Sequence, residues 1–304
     1  MTVSNNLFNI SSSSAMSIDV EDGINIAMRD YFNIHMQPTS RVLLNMNKIL
    51  KLFEINKVKG TFFILGEVVE KYPDLVKQID AAGHEVGVHG YYHNQIFRLT
   101  PQLLRDELTR TKDLIENITG KKVCGFRAPA FSISPETAWA LHVIAECGFK
   151  YDSSIYPSKL RRYGWNDFPR QISKINLGNS TSLFEVPLSV MNIMGRNFPV
   201  CGGGYLRYLP YFLTRRIFLS ISKKNPVIVY LHPYELDTVK YPDYFYEARA
   251  KSSLKQKLPL LFYRYKKGTV MEKLDRLTKE FRFIPLNEII IKMEEAGNIS
   301  EIRI

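Results

Sequence analysis

Two histidines four positions apart, His89 and His93 in VGVHGYYHNQI, follow a short β-prone run. A helical turn opening at His89 would stack both imidazoles on one face, the spacing by which paired histidines grip zinc. Alone, HxxxH is more often two polar residues at a strand end. An acidic group elsewhere shifts that balance: SIDVED carries Asp19, Glu21 and Asp22. Side chains alternate along a strand, so Asp19 and Glu21 point the same way, and Asp22 joins them if the strand ends and the chain turns there. Two neutral imidazoles with one carboxylate leave an open position for water on a divalent ion.

A third histidine of chemical interest, His232, stands in VIVYLHPYELD directly after a very apolar run. A buried strand that ends in His-Pro delivers an imidazole onto a rim, where it is either a catalytic group or a hydrogen-bonded histidine at the core edge. GFRAPAF puts Arg127 at another strand end, with Pro129 stiffening the turn. A guanidinium there could clamp a carboxylate in a fixed orientation. VCGGGYLR fits neither dinucleotide nor phosphate-loop patterns; its Gly202, Gly203 and Gly204 read as a tight loop that lets backbone approach substrate. His35, His84 and His142 read as structural.

The elements that must position these groups alternate. GTFFIL, HEVGVH, KVCGF and VIVYL have strand character, separated by helical signals: Tyr72-Pro73 to Gly83, Thr100-Pro101 to Gly120, and Ser134-Pro135-Glu136 to Gly148. The βα rhythm predicts a mainly parallel sheet with helices outside, open or closed as a barrel, and chemistry gathered at the C-terminal strand ends. With 45% hydrophobic and 23% charged residues in 304, the chain has ample core material, and no linker divides it. Residues 1–15, rich in Ser and Asn, read as a flexible lead-in.

The formal charge of +11 favours acidic partners, but no basic tail, zinc finger or RNA-recognition motif points to nucleic acid. Three cysteines without a CxxC, no secretory leader and no span-length apolar run give the expectation of a cytoplasmic protein. YLRYLPYFLTRRIFLSISKK mixes aromatics, aliphatics and cations, and reads as a helix packed on the domain or one lying on a membrane surface.

In chain order, SIDVED, TFFILG, GHEVGVHGYYH, GFRAPAFSI, YDSSIYP, FEVP, GGGYLRYLP and YLHPYELD resemble the polysaccharide deacetylase superfamily with its NodB homology domain. The resemblance is to the subgroup whose first motif reads Asp-Val-Glu-Asp/Glu and which accompanies exopolysaccharide or O-antigen loci. These motifs span residues 17–237, and LPLLFYRYKKGTVMEKLDRLTKEFRF is similar to that subgroup's C-terminal segment. The resemblance implies an α/β fold: a distorted (β/α) barrel of about seven units, one domain over residues 16–304. It implies metal-dependent removal of N-acetyl groups from an amino-sugar glycan, either polymeric or lipid-linked and anionic, with zinc as the metal and manganese, cobalt or nickel as alternatives.

By motif position, Asp19 corresponds to the family's base, His89 and His93 to metal ligands, Arg127 to the residue that holds the base, and His232 to the acid. Pro129 and Tyr205 are assigned to substrate, with Tyr91, Tyr92, Phe131, Tyr156 and Trp165 as further rings for sugar faces, and Arg161, Arg162, Arg207, Arg215 and Arg216 as cations for an anionic glycan. Most of the family has a second aspartate where Val20 stands here, so the metal carboxylate is either Glu21 or Asp22. The competing expectations are a hydrolase of small amides and a glycan-binding barrel without catalysis. Peripheral contact with the inner membrane is the expected location for a lipid-linked substrate.

Overall fold

The computed structural model describes residues 13–160, 164–253, 256, 266–297 and 299–304. The strands are β1 (Ala15–Val20), β2 (Thr61–Ile64), β3 (Glu85–Val88), β4 (Gly125–Phe126), β5 (Tyr151–Asp152), β6 (Ser173–Gly178), β7 (Thr181–Glu185), β8 (Val190–Ile193), β9 (Arg196–Pro199), β10 (Ile228–Leu231) and β11 (Ser300–Arg303). The helices are α1 (Gly23–Phe32), α2 (Arg41–Ile55), α3 (Gly66–Lys71), α4 (Pro73–Ala81), α5 (Pro101–Thr119), α6 (Trp139–Glu146), α7 (Gly203–Tyr208), α8 (Tyr211–Ser222), α9 (Asp243–Lys251), α10 (Val270–Glu280) and α11 (Leu286–Glu295).

The main sheet runs β10-β1-β2-β3-β4-β5-β7-β6-β11. From β10 to β7 every pairing is parallel, which gives seven parallel strands and matches the expected count of units. The barrel is distorted for a local reason. β6 and β7 form an antiparallel hairpin, so one βα unit is lost there, and β11 adds beside β6. The free edge of β10 is covered by the chain after β7: Ile228 N–H donates to Ser189 Oγ at 2.8 Å and Tyr230 N–H to the Cys201 carbonyl at 3.0 Å. An edge left bare would offer unpaired backbone groups to another chain.

The helical signals behave as read. Thr100 caps α5 through Leu103 N–H, and Gly120 ends it in the left-handed region at φ 68°. Ser134 caps a single 3-10 turn at Pro135–Thr137, and α6 follows it, shorter than the sequence suggests. Ala15, assigned to the lead-in, is the first residue of β1, and Ser14 already bridges Phe283. Met16, Ile18, Phe62, Ile64 and Val88 stack inside the strands against α2 to α5. No helix among the described residues is long and apolar enough to cross a membrane.

His84 is structural, as expected, and carries a pH signature. Its ring packs on Phe62 and Phe53 at centroid distances of 4.9 and 5.8 Å, and its Nδ1 accepts from Gly60 N–H at 3.3 Å. Burial, with Lys59 nearby, pushes its pKa down to about 4. The unfolded ring protonates first, near its ordinary value of about 6.5. The stability of the neutral buried ring is therefore complete above that value and lost as pH falls toward 4. The melting temperature should fall across this window, and His84→Gln, which keeps an acceptor for Gly60, should flatten part of the fall; an unchanged slope would contradict the assignment.

Candidate active site

Sheet register alone gathers most of the expected groups into one tier. Ile18 pairs with Leu231, so the next step sets Asp19 beside His232; Val88 pairs with Phe126, so the next step sets His89 beside Arg127; Phe126 pairs with Asp152, so Arg127 meets Ser153. All lie at the C-terminal strand ends, where a barrel presents its chemistry.

Arg127 is fully buried, and every nitrogen of its side chain is hydrogen-bonded. Nη1 donates to Asp19 Oδ1 at 2.8 Å and to Ser17 Oγ at 2.7 Å, Nε to the Ser153 carbonyl at 2.9 Å, and Nη2 to Ser153 Oγ at 2.9 Å. The Phe63 ring lies 4.3 Å from the guanidinium carbon. The turn after Arg127 is strained, with Ala130 and Phe131 both left-handed at φ 53° and 52°; such strain in non-glycine residues persists where surrounding structure enforces it. Asp19 is thus fixed through Oδ1, and its Oδ2 faces His232 Nε2 at 3.9 Å.

The metal-type ligands converge on the same place. Ligand atoms of Glu21, His89 and His93 all lie within 4.8 Å of one another, and all three residues are buried. His89 Nδ1 is 2.8 Å from the Arg127 carbonyl and donates to it, which leaves Nε2 with its lone pair toward Glu21 Oε2 at 3.9 Å. Burial holds His89 at about 4, so the ring is neutral, as a ligand must be. His93 Nε2 lies 3.1 Å from Glu21 Oε2, an oxygen that is buried without a hydrogen-bond partner. Burial works to raise the Glu21 carboxyl, but His93, His232 and His89 together outweigh it and bring it to about 2. An orphaned carboxylate oxygen facing two imidazoles is the donor set of a divalent cation, and the residues fit one.

No helical turn joins the two histidines. His93 is reached through an irregular loop with Gly90 at φ 76° and His93 itself at φ 59°, which brings the rings to 5.7 Å. The loop is pinned from α5 and α3: Glu107 accepts from Tyr91 N–H at 3.0 Å and Asn94 Nδ2 at 2.7 Å, and Gly66 N–H donates to the Gly90 carbonyl at 3.0 Å.

Asp22 does not join the cluster. As the N-cap of α1 it accepts from Ile24 N–H at 3.2 Å and from Thr39 N–H at 2.6 Å, so both oxygens are committed to backbone. Pro129 is buried and packs behind Gly90, whose absent Cβ would lie 3.3 Å from its ring, so it supports the histidine loop. Tyr91, Phe131 and Tyr156 are core residues. Tyr205 is half-buried in α7, Trp165 packs on Phe168, and Tyr92 is exposed. Arg207 is buried and Arg215 is paired with Glu280. Arg161 and Arg162 lie outside the described residues.

The glycine run opens α7 rather than a substrate loop, and two of its glycines are required by protein side chains. A Cβ on Gly203 would strike Glu235 Oε2, and one on Gly202 would strike the Tyr230 ring. Glu235 is a site residue the sequence reading missed. It is buried, with Oε1 3.7 Å from His232 Nδ1. Burial works to lower His232, but Glu235, Glu21 and Asp19 raise it to about 9, so the imidazole is protonated at neutral pH. Ser17 and Ser153 were also missed, although Ser17 shares a strand face with Asp19 and Ser153 sits in YDSSIYP. In the same motif Asp152 accepts from Ser154 Oγ, which accepts from Ala128 N–H at 2.7 Å, while Glu185 of FEVP accepts from Ile155 N–H at 3.0 Å. Burial pushes both carboxyls up.

Residues 43–151 match the polysaccharide deacetylase family, and residues 153–291 match a domain of unknown function, DUF3473. The likeness to polysaccharide deacetylases covers the segment from α2 to β5. The peptidoglycan deacetylase of Helicobacter pylori is 34% identical over 116 residues, which cover 38% of this chain and 39% of that protein. A peptidoglycan deacetylase-like protein of Gibberella zeae is 31% identical over 157 residues, 49% of this chain and 46% of its own. The chain spans less than half the length of these two curated relatives. A crystal structure assigned to a polysaccharide deacetylase of Mycobacterium smegmatis superposes with a TM-score of 0.62 at 19% identity, over 95% of this chain and 92% of its own. An allantoinase superposes with a TM-score of 0.61 at 15% identity, over 96% and 93%. These two likenesses show the fold. Asp19 and Glu21 lie upstream of the matched segments, and the sheet brings them to the histidines of the first and second.

The geometry separates the two candidate carboxylates. Glu21→Gln should weaken zinc binding by more than about tenfold. Asp22→Ala should bind zinc as the unaltered protein does and lose about 1 kcal/mol of stability as a helix cap. Zinc titration with a thermal melt reads both, and the reverse ranking would contradict the assignment.

Proposed function

We propose that the protein is a metal-dependent hydrolase that removes the N-acetyl group from an amino-sugar glycan. One observation carries this reading: a carboxylate aimed by a buried guanidinium, a Glu-His-His donor set and a protonated imidazole converge at a single strand-end tier. The names of the relatives support the glycan as substrate class. A binder without catalysis has no use for a base, an acid and an open donor set together.

Held by Glu21, His89 and His93, a divalent cation, zinc or in its place manganese, cobalt or nickel, would supply Lewis-acid activation of water and of the amide carbonyl. Asp19 takes a proton through Oδ2, the oxygen that Arg127 leaves free, as water attacks the acetamide carbon. Arg127 keeps that carboxylate aimed. When the C–N bond breaks, His232 donates the proton it holds to the departing nitrogen, leaving an amine and acetate. Glu235 holds the imidazole from behind, with Oε1 3.7 Å from its Nδ1. Tyr205, in the same short helix as Gly203, is the ring we assign to the sugar face.

The charge of +11 supports an anionic or lipid-linked glycan, and the free Cys124, Cys147 and Cys201 support a reducing, cytoplasmic setting.

Acetate release from N-acetylated amino sugars, compared with turnover of small cyclic amides, tests the reading. The zinc-loaded protein should release acetate and leave the small amides intact. Asp19→Asn and His232→Ala should each lower turnover about 10²- to 10⁴-fold with zinc still bound. Turnover of the small amides alone would replace the substrate class, and a variant with unaltered turnover would remove the role of that residue.

A further inference from the structure

Between Glu185 and Glu235 the sequence contains no acidic residue: residues 186–234 carry six Arg and Lys and no Asp or Glu. That run of 49 residues holds six of the eleven excess positive charges of the whole chain, so the charge is localised rather than spread. Its longest element is α8. The inner face of that helix, Tyr211, Thr214 and Phe218, packs on the barrel. Its outer face keeps large apolar groups in solvent, with Phe212 67% exposed, Leu213 36% and Leu219 38%.

Phe212, Arg216, Leu219 and Lys223 fall at i, i+4, i+7 and i+11, one line along the middle of that face, with Leu213 and Lys224 beside it. Apolar side chains interleaved with long cations match a bilayer boundary, where rings and aliphatics enter the acyl region and Lys and Arg reach headgroup phosphates. The same interleaving disfavours a second copy of the chain, because two such faces would oppose like charges. At twelve residues the helix is about 18 Å long, enough to lie in an interface and too short to span one.

We propose that the outer face of α8 docks the protein on the surface of an anionic phospholipid bilayer. α7 starts at Gly203 against Glu235, beside His232, and α8 leads from there down to β10, whose end carries His232. A bilayer seated on α8 therefore meets the protein on the flank beneath the mouth of the site. The inference stands on surface chemistry and does not require the deacetylase reading.

The test is flotation of the full chain with vesicles of phosphatidylcholine alone and of phosphatidylcholine with phosphatidylglycerol. The protein should float with the anionic vesicles and remain in solution with the neutral ones. Each cation near such a surface contributes about fivefold to partitioning, so Lys223→Gln with Lys224→Gln should lower partitioning roughly twenty-five-fold. Phe212→Ser with Leu219→Ser should lower it as well, and both double variants should keep the melting temperature and the acetate release of the unaltered protein. Absence of flotation, equal flotation with neutral vesicles, or undiminished flotation of both double variants would each overturn the proposal. So would capture of the protein by a soluble acidic polysaccharide, through the same residues, in place of vesicles. Because the readout is partitioning, a failure here is separate from a failure to release acetate.

Discussion

A guanidinium at zero exposure is a large electrostatic liability, and this structure turns it into the point on which its site depends. Arg127 is satisfied by four hydrogen bonds to Asp19, Ser17 and Ser153 and by the face of Phe63. Its backbone works as well: the N–H pairs with the Val88 carbonyl, and the carbonyl fixes the His89 ring. One residue therefore sets both the orientation of the base and the tautomer of a ligand. Removing either member of a buried ion pair strands the other at a cost of roughly 3–5 kcal/mol, while replacing both can cost little. The pair is thus weak evidence for stability and strong evidence for a demand on position.

The barrel meets that demand through register. Parallel strands that start level end level, so groups far apart in sequence, from Asp19 to His232, arrive in one tier without any loop having to find another. The irregular part of the sheet is the β6–β7 hairpin with β11 beside it. Just after β7 the Val186 carbonyl accepts from Ser153 Oγ, a support of Arg127, while Asp152 accepts from Ser154 Oγ and Glu185 from Ile155 N–H to fix the segment that follows β5. Regular structure places the reacting groups, and the irregular part buttresses them.

Much of this was legible in the sequence because it follows from local rules. Strand alternation put Asp19 and Glu21 on one face, and cap residues marked α5 at both ends. The apolar run before His232 announced a buried strand. What was not legible depends on tertiary partners. The His89–His93 spacing suits a helical turn, but the loop adopts left-handed backbone because Glu107 and Gly66 hold it from outside. Asp22 looks like a ligand until Thr39 and Ile24 claim both its oxygens. Nothing in the spacing of YLHPYELD marks Glu235, and Gly203 makes room for it beside His232. The exposed face of α8 was visible as a mixed composition, but which side of it met solvent was decided by packing.

The most direct test of the account is anomalous scattering at the zinc edge from crystals of the zinc-loaded protein. The account predicts one strong peak shared by Glu21, His89 and His93, with Asp19 still bound to Arg127 and Asp22 still capping its helix. A peak seated on Asp22 or elsewhere, or imidazoles turned away from Glu21, would contradict it.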